Sequence, residues 1–534
     1  MLNADQPRSA PFTTPEWDRV DGVLLVLIFA AVAAYLSLLP WGLQSADESY
    51  FLNEAKRIRD GELMYRDIFE FTTPLSPYAM AAMFWIFGTT MATARITMAV
   101  VHALTAVALY ASARGVGVRK PLSLVVPLAY VALCQSVWPY ASWHWFSTCA
   151  AAVALCSLIR GPWPSRPAWA VVPGLVGGLA VAIQQQKGAV LTAGVGLVFV
   201  VDALLDRRYG ARVAWRALLA RLAWFAGGVA AVVVPVLGTF VLLAGWTKVY
   251  DALVRFPLET YGPHFTSPWG RAGKYEAQFT IPLLLQLSPL LLIPSFLRWF
   301  SDVRFARERE RVRRLTPLVV MPSAGVLSTW YFPDLIHLAF IAGVFWVAAA
   351  EGAEWVIDAM RPAVSRAAGV AVAVGVAALL LPQLVSNTRL MREQFSFPYR
   401  TAFGRVDFSG EWEAALVDTT RALLADAPSR ELFSYPHYLS LYLTADAKNP
   451  TPYQYFWAAT SPPEHTSDVL RTLQSRRLPY ILACPFLFRP NDPVADYISE
   501  NYELYPMPGE PVGNYRLYGR KDLDVFVKKS KAPQ

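Results

Sequence analysis

Long apolar runs recur along most of the chain and stop near residue 386. An apolar helix of about 20 residues can cross a bilayer. The pattern predicts eleven membrane-spanning helices, at 22–43, 92–113, 121–138, 141–159, 168–185, 188–205, 222–244, 280–299, 317–332, 335–350 and 367–385. The apolar run 75–87 is too short to cross, and it predicts an interfacial or re-entrant helix.

Beyond residue 386 the long apolar runs give way to polar, proline-containing and tyrosine-rich sequence. Short strand-like pieces occur at 431–435, 479–483 and 515–518, and helix-like pieces occur before and between them at 411–425 and 466–476. We therefore predict a membrane domain over residues 1–385 and a small α/β domain over residues 386–534, which is an ordinary domain size.

Composition agrees with a polytopic membrane protein. Hydrophobic residues make up 55% of the chain and charged residues 16%, whereas soluble proteins carry about a quarter charged residues. The net charge of +8 comes from basic residues in short loops between apolar runs. That distribution is typical of topology signals and argues against nucleic acid as a partner.

The basic loops also predict orientation. Arginine and lysine cluster at 114–120, 160–166, 207–221, 298–314 and 361–366. All of these loops fall on one side of an eleven-span arrangement, so that side is expected to be cytoplasmic. The first apolar run follows a mixed-charge segment and is expected to be an uncleaved span. Three segments are then expected outside the cytoplasm, namely 44–91, 245–279 and the tail from about 386.

Acidic residues cluster in the first of these outer segments. Asp47 and Glu48 follow the first apolar run directly, and Asp67 and Glu70 lie a short distance further on. Charged groups beside hydrocarbon are costly and usually mark a functional site. The structural alternative for an isolated Asp-Glu pair is a solvated loop.

This constellation resembles the first outer loop of the GT-C glycosyltransferases. The matching pieces are Asp47-Glu48 after the first span, Gly61…Tyr65-x-Asp67, and Pro74-Leu-x-x-Tyr78 before a Gly88…Arg95 helix. The bacterial relatives of protein O-mannosyltransferases and of the lipid A aminoarabinose transferase are the most similar branch. Weaker matches are Gly174…Gly178…Gln186-Lys187-Gly188 and Pro333-Asp334-Leu-Ile-His337-Leu.

The resemblance implies an inverting transfer of a sugar from a polyprenyl-phosphate donor. The acceptor would be an envelope glycan, lipid or protein at the outer face of the bacterial cytoplasmic membrane, and membrane lipids would surround the enzyme. Such a displacement needs a base for the acceptor hydroxyl and cationic stabilisation for the leaving phosphate. It needs no second carboxylic acid, because the leaving phosphate is already a stable anion.

Asp47 matches the family's catalytic acidic position and is the expected base. Its structural alternative is an N-cap for the helix that follows. Glu48 is expected to orient Asp47 or to hold substrate, or else to sit favourably in a first helical turn. Tyr65, Asp67 and Glu70 are expected in the substrate site without a defined role.

The aminoarabinose transferases carry a lysine shortly before the Pro-Leu pair, whereas this chain has Thr72 and Thr73. Lys187, an isolated cation between two apolar runs, is the expected phosphate contact in its place, and its structural alternative is snorkelling to the interface. Further cationic candidates lie in the segment 245–279, namely Arg255, Arg271 and Lys274.

Histidines and aromatic residues complete the candidate site. His144 is a candidate for binding substrate or a metal ion, and its structural alternative is an interface histidine among tryptophans. Asp334 and His337 lie one helical turn apart and can share a ligand. Aromatic candidates for contact with a sugar come from the segment 245–279, namely Tyr250, Tyr261, Trp269 and Tyr275. No cofactor is certain. A divalent metal ion stays an alternative, although these candidate ligands are scattered along the chain.

Two other classes of function stay open at this point. A transporter or flippase of lipid-linked glycans predicts charged residues in the middle of several spans and broken helices there. The predicted spans are nearly free of charge in their middles, which counts against a transporter. An assembly or sensor protein that works through its tail gives no reason for the acidic cluster at 47–70.

Overall fold

Helices form most of the structure, a computed structural model that describes residues 17–264, 266–274, 276–425, 427, 429–506 and 514–523. The helices up to the end of the apolar region are α1 Arg19–Ser37, α2 Asp47–Arg59, α3 Leu75–Phe87, α4 Met91–Gly115, α5 Lys120–Ala129, α6 Trp143–Arg160, α7 Val171–Ile183, α8 Gln185–Leu205, α9 Trp215–Ala244, α10 Trp246–Tyr250, α11 Gly262–His264, α12 Pro282–Gln286, α13 Ile293–Arg304, α14 Arg309–Ser328, α15 Leu335–Asp358 and α16 Pro362–Gln394. Short 3-10 or π-helical turns extend several of them, at Tyr130–Cys134, Gln135–Val137, Pro167–Ala170, Asp206–Tyr209, Asp251–Arg255, Pro257–Tyr261, Glu276–Phe279 and Ser288–Leu292.

Every predicted span coincides with a helical segment, but the segments differ in length. Within the described residues, seven of them are long and apolar enough to cross a membrane. The predicted span 280–299 is broken into α12, a 3-10 turn and α13, because Pro282, Pro289 and Pro294 interrupt the helical hydrogen bonds. The polytopic helical class is confirmed, whereas the count of eleven spans stays a prediction.

Glycines allow α7 and α9 to pack closely. A Cβ added at Gly174 would lie 2.3 Å from the carbonyl oxygen of Phe225, and one added at Gly228 would lie 2.5 Å from that of Val171. Small residues at such positions let two helix backbones approach in a membrane. Gly188 has the same role at the turn between α7 and α8, where its Cβ would lie 2.3 Å from the backbone of Ala180. The glycine motif noted in the sequence is therefore explained by packing.

The outer segment 44–91 folds into α2 and α3, joined by a loop. The predicted short helix 75–87 is present as α3, which ends at Gly88 with a φ of +89°. The second outer segment, 245–279, also contains helical turns. Two successive π-helical turns there, Asp251–Arg255 and Pro257–Tyr261, bring Phe256 and Tyr261 towards the outer segment.

The tail is a small α/β unit, as predicted. Its elements are β1 Phe397–Thr401, β2 Gly404–Phe408, α17 Glu411–Ala425, β3 Phe433–Tyr435, α18 Ser440–Thr444, α19 Pro463–Arg476, β4 Tyr480–Ala483, α20 Pro493–Asn501, β5 Tyr502–Leu504 and β6 Arg516–Arg520. The strands β1 and β2 form a hairpin, and a mixed sheet has the order β3-β4-β6-β5. The helix α16 continues past residue 386 to Gln394, so the tail's own elements begin at β1.

Backbone and side-chain hydrogen bonds join the tail to the outer segment. The amide of Phe69 donates to the carbonyl of Pro452 at 3.0 Å, and the amide of Leu439 donates to the carbonyl of Ser45 at 2.8 Å. The Asn53 side chain on α2 donates to Gln454 in the tail. The tail therefore covers α2 and the loop that follows it.

Candidate active site

A cavity of about 310 Å³ lies where the outer segment, the N-terminal ends of α6 and α15, and the tail meet. Its polar lining includes Asp47, His144, Asp334 and His337. Aromatic side chains form much of the remaining wall, among them Trp143, Phe256, Tyr261, Phe340, Tyr455 and Trp457. An adjoining groove of about 620 Å³ shares Trp143, His144, Tyr261 and His337 with the cavity and adds apolar side chains such as Leu253 and Leu258.

Asp47 faces the cavity from the first residue of α2. Its side chain makes no capping hydrogen bond, and the N-cap residue is Ala46, so the structure gives no support to the capping alternative. The Asp47 side chain is accessible from the cavity, but the cavity itself is surrounded by protein, so the carboxylate is far from bulk water. This burial raises the pKa of Asp47, Asp334 adds to the rise, and His337 opposes it.

Glu48 points away from the cavity. Its carboxylate forms a buried ion pair with Arg95 of α4 and accepts hydrogen bonds from the backbone amides of Ala141, at 2.6 Å, and Gln44, at 3.1 Å. The side chain is fully buried. Glu48 therefore fastens the first turn of α2 to α4 and to the segment before α6. This geometry fits a positioning role rather than direct contact with substrate.

Glu70 lies behind the cavity wall and holds Tyr50. Tyr50 lines the cavity and its hydroxyl donates to Glu70, and the amide of Thr72 donates to the other carboxylate oxygen at 2.7 Å. Burial raises the pKa of Glu70 to about 7. Glu54 of α2, which the sequence analysis missed, is buried nearby and has no hydrogen-bond partner among the described residues. Burial, and then the charge of Glu70, raises its pKa well above the usual range.

Tyr65 and Asp67 shape the outer loop outside the cavity. The Tyr65 hydroxyl donates to the carbonyl of Thr72 at 2.7 Å, and its ring packs edge-on against Phe240 with centroids 5.4 Å apart. Asp67 accepts from the amide of Leu63 at 2.9 Å. Both side chains therefore hold the turn that carries Phe69 and Glu70, and neither is part of the cavity lining.

His144, Asp334 and His337 come together at one side of the cavity. Asp334 is the N-cap of α15, and its Oδ1 accepts from the backbone amide of His337 at 2.8 Å and contacts Nδ1 of the same residue at 2.7 Å. The rings of His144 and His337 are perpendicular, with centroids 5.0 Å apart. Phe340 stacks on His144 at 4.4 Å. The predicted Asp-His relation across one helical turn is present.

The expected cationic residues do not line the cavity. Lys187 is buried, and its Nζ donates to Thr148 Oγ1 at 3.2 Å and to the carbonyl of Phe340 at 3.4 Å. It lies on the far side of Phe340, against a small separate cavity. Arg255 is exposed and paired with Glu259 at 3.1 Å. Arg271 and Lys274 are exposed on the surface.

Of the aromatic candidates within the described residues, Tyr261 lines the cavity, whereas Tyr250 and Trp269 do not. Tyr261 lines the cavity and packs on Phe71, with ring centroids 4.8 Å apart. Tyr250 stacks on Trp246 outside the cavity, Trp269 donates to the carbonyl of Gln286 at 3.0 Å, and Tyr275 lies outside the described residues.

The tail also contributes to the cavity wall, which was not predicted from the sequence. Most of this contribution comes from the aromatic run Tyr453-Gln-Tyr-Phe-Trp457, of which Gln454, Tyr455 and Trp457 line the cavity. Thr460 and Ser461 complete it. That run was the available signal in the sequence.

With respect to metal ions, no group of three or more His, Cys, Asp or Glu side chains in the described part of the chain is arranged to hold one.

Comparison with known proteins rests on structure alone, since no family model and no curated protein matches this chain. ArnT from Cupriavidus metallidurans bound to undecaprenyl phosphate superposes with a TM-score of 0.58 at 15% identity, covering 96% of this chain and 99% of ArnT. The apo state of the same protein gives 0.56 at 16% identity with the same coverage.

The apo Archaeoglobus fulgidus oligosaccharyltransferase gives a TM-score of 0.51 at 14% identity, over 87% of this chain and 69% of that one. At such identities the likeness concerns the fold. It confirms at that level the resemblance seen in the outer loop: the chain has the GT-C fold of polytopic membrane glycosyltransferases.

Proposed function

We propose that this protein is an inverting glycosyltransferase that moves a sugar from a polyprenyl-phosphate donor to an envelope glycan, lipid or protein. The observation that carries the proposal is the Asp47 carboxylate in an aromatic cavity beside the Asp334–His337 pair, in a chain with the GT-C fold. ArnT, which shares that fold, has been solved with undecaprenyl phosphate bound, and this supports a lipid-linked donor.

In the proposed reaction Asp47 acts as the general base. The acceptor hydroxyl attacks the anomeric carbon, and Asp47 takes its proton as the new carbon–oxygen bond forms. The bond between the anomeric carbon and the phosphate oxygen breaks, and its electron pair leaves with the polyprenyl phosphate. A raised pKa suits a base, because a proton acceptor works best when its pKa is near the operating pH.

The two connected spaces suit the two parts of the donor. Aromatic rings such as Tyr261, Tyr455 and Trp457 offer faces for a sugar ring in the cavity. The adjoining groove carries Leu253, Val254 and Leu258, which suit an isoprenoid chain that enters from the bilayer. In this arrangement the phosphate lies at the junction, near His144 and His337, which line both spaces.

The proposed location is the bacterial cytoplasmic membrane, with the N-terminus inside and the tail domain outside. The course of α14 supports this arrangement. It begins in the arginine-rich segment at Arg309, and its last turn leads to Phe332 and Asp334 at the cavity. The cavity and the basic segment therefore lie at opposite ends of one helix, as the positive-inside rule requires for an outer site.

The proposal is tested with full-length protein in nanodiscs, supplied with a panel of undecaprenyl-phosphate sugars and extracted envelope acceptors. Mass spectrometry should detect a new glycosidic product with wild-type protein, and the product should be lost with Asp47→Asn. Asp60→Asn, at the exposed end of the same helix, is the matched control and should retain transfer. Movement of the donor across liposomes without any new glycosidic bond would instead indicate a flippase.

A further inference from the structure

The charge of the cavity raises a problem for any anionic ligand. Among the described residues that line the cavity or the groove, the carboxylates are Asp47 and Asp334, and none is a lysine or an arginine. A phosphodiester anion would therefore enter a site whose fixed charges repel it, in a setting where charges interact strongly. A positive group is needed, and the lining offers only imidazoles.

His337 is held in a geometry that suits this task. Its Nδ1 is engaged by Asp334 Oδ1 at 2.7 Å, and the backbone amide of the same residue donates to that oxygen. When one ring nitrogen is fixed on a carboxylate, the other is left to serve a ligand. Since His337 lines both the cavity and the groove, its Nε2 is the ring nitrogen available at their junction.

We propose that the imidazolium of His337, oriented by Asp334, binds the phosphodiester of the donor, with His144 as a second contact. This inference rests on the proposed function, because it takes the donor to be a polyprenyl phosphodiester. His144 lies beside His337 at 5.0 Å between ring centroids and lines the same two spaces.

The other cations are less well placed. The ammonium of Lys187 lies beyond Phe340, hydrogen-bonded to Thr148 and to a backbone carbonyl. Arg255 is exposed and paired with acidic neighbours. Arg271 and Lys274 are exposed and line neither space.

Charged and titratable groups from several elements surround His337. Asp334 on its own helix and Asp47 from α2 are the carboxylates that interact with its ring. His144 from α6 is the second imidazole, and Lys187 from α8 acts on His144. Tyr261, Tyr331 and Tyr455 also line the two spaces. Binding that depends on the imidazolium should weaken as pH rises through the range where imidazoles lose a proton, about 6 to 7.

The test is equilibrium binding of farnesyl methyl phosphate to detergent-solubilised full-length protein, at about pH 5.5 and about pH 8. This phosphodiester carries one negative charge throughout that range, and uncharged farnesol is the reference ligand. Wild-type protein should bind the phosphodiester about tenfold more weakly at the higher pH, with farnesol unchanged. His337→Gln should weaken binding at low pH by about tenfold and abolish the pH dependence.

A second variant keeps the test decisive if His337→Gln perturbs folding. His337→Lys retains a positive charge at both pH values, so it should bind the phosphodiester without the loss at high pH. Asp334→Asn alters the carboxylate that orients the His337 ring, so it should weaken phosphodiester binding at low pH. His264→Gln, at an exposed histidine that lines neither space, should behave like wild type.

Several outcomes would overturn the inference. Equal phosphodiester binding by wild type and His337→Gln at both pH values would do so. So would loss of binding in Lys187→Met but not in His337→Gln, or binding that requires added Mg²⁺ and ignores both histidines. These outcomes are separate from failure of the proposed function, in which wild-type protein binds the phosphodiester with the expected pH dependence but transfers no sugar.

Discussion

At the scale of single residues, Asp47 combines access to a cavity with a carboxylate whose pKa is raised by its surroundings. It has no helix-capping bond that would explain its presence structurally. Its neighbour Glu48 has the opposite character, since it is fully buried and paired. Two adjacent acidic residues therefore differ in chemistry because the first turn of α2 points them in different directions.

The first prediction concerns Asp47. Asp47→Asn should lower turnover by at least about 10²-fold, the usual contribution of general acid–base catalysis, and leave the melting temperature close to that of wild type. Turnover is measured with the donor and acceptor pair identified by mass spectrometry. Asp60→Asn provides the control for a charge lost from the same helix. Full turnover in Asp47→Asn would remove Asp47 from the base role.

The buried carboxyl pair behind Tyr50 gives a second prediction, about stability and pH. Burial raises the pKa of Glu70 to about 7, and burial with the charge of Glu70 raises that of Glu54. Unfolded glutamates lose their proton near about pH 4.3. Between that pH and about 7 the folded state holds more protons than the unfolded state, so stability should fall as pH rises through this window.

Glu54→Gln removes one member of the pair and should make the fall in melting temperature between pH 5 and about 7.5 smaller than in wild type. The reason is that a glutamine does not ionise, so the contribution of Glu54, whose pKa is raised by burial and by the charge of Glu70, is removed. Thermal unfolding of purified protein in one detergent at several pH values provides the measurement. Glu503→Gln, at an exposed position, should keep the wild-type slope. An unchanged slope in Glu54→Gln would contradict the interpretation.

At the scale of elements, the outer helix α2 is fixed at its first turn by the ion pair between Glu48 and Arg95. Removing one partner of a buried pair leaves the other charge uncompensated, at a cost of about 3–5 kcal/mol. Glu48→Gln should therefore lower the melting temperature clearly, and the double change with Arg95→Met should recover part of the loss. A double variant no more stable than Glu48→Gln would argue against the pair as the cause.

The close contact between α7 and α9 predicts different effects on stability for alanine at two glycines, Gly174 and Gly227. Gly174→Ala would place a methyl group against the backbone of Phe225 and should lower the melting temperature. Gly227 of α9 has open space around its Cβ position, so Gly227→Ala should leave stability unchanged or raise it by up to about 1 kcal/mol through better helix propensity. Similar losses in both variants would show that the close approach is not the reason.

At the scale of the whole molecule, the outer segment, the helical bundle and the tail each supply part of one cavity. The tail contributes Gln454, Tyr455 and Trp457, which lie far along the chain from the acidic cluster at 47–70. An arrangement of this kind requires the tail domain to be on the same side of the membrane as Asp47. The proposed topology meets that requirement with an odd number of spans between the N-terminus and the tail.

Cysteine labelling tests the topology. Ser409→Cys lies in the tail and should react with a membrane-impermeant thiol reagent in intact cells, whereas Ser301→Cys lies in the arginine-rich segment and should react only after lysis. The native cysteines at 134, 149, 156 and 484 are buried or half-buried, so background labelling should be low. The reverse pattern, or equal labelling of both positions, would reject the orientation.

Much of the architecture could be predicted from the sequence because its causes are local. Apolar runs predicted the helices, and the strands β3, β4 and β6 formed where short apolar pieces are flanked by turn residues. The outer-loop residues predicted the GT-C fold, which the structural likeness to ArnT confirms. Helix boundaries were less predictable where prolines break the run 280–299 or where α16 continues to Gln394.

The membership of the cavity could be predicted only in part. Of the residues predicted for the site, Asp47, His144, Tyr261, Asp334 and His337 are in its lining. Hydropathy does not report how far a helix is rotated, and rotation directs Glu48 to Arg95 and Lys187 behind Phe340. Nor can sequence spacing bring a tail segment to α2, since that contact joins residues hundreds of positions apart.

The sequence by itself thus determined which segments are apolar, where the acidic chemistry begins, and which fold those features match. Only the tertiary structure decided the charge inside the site. It brings Asp47 and Asp334 together with two histidines and leaves the lysine and arginines outside. The physical reason is that electrostatic environment depends on distance and burial in space, whereas the chain records only order.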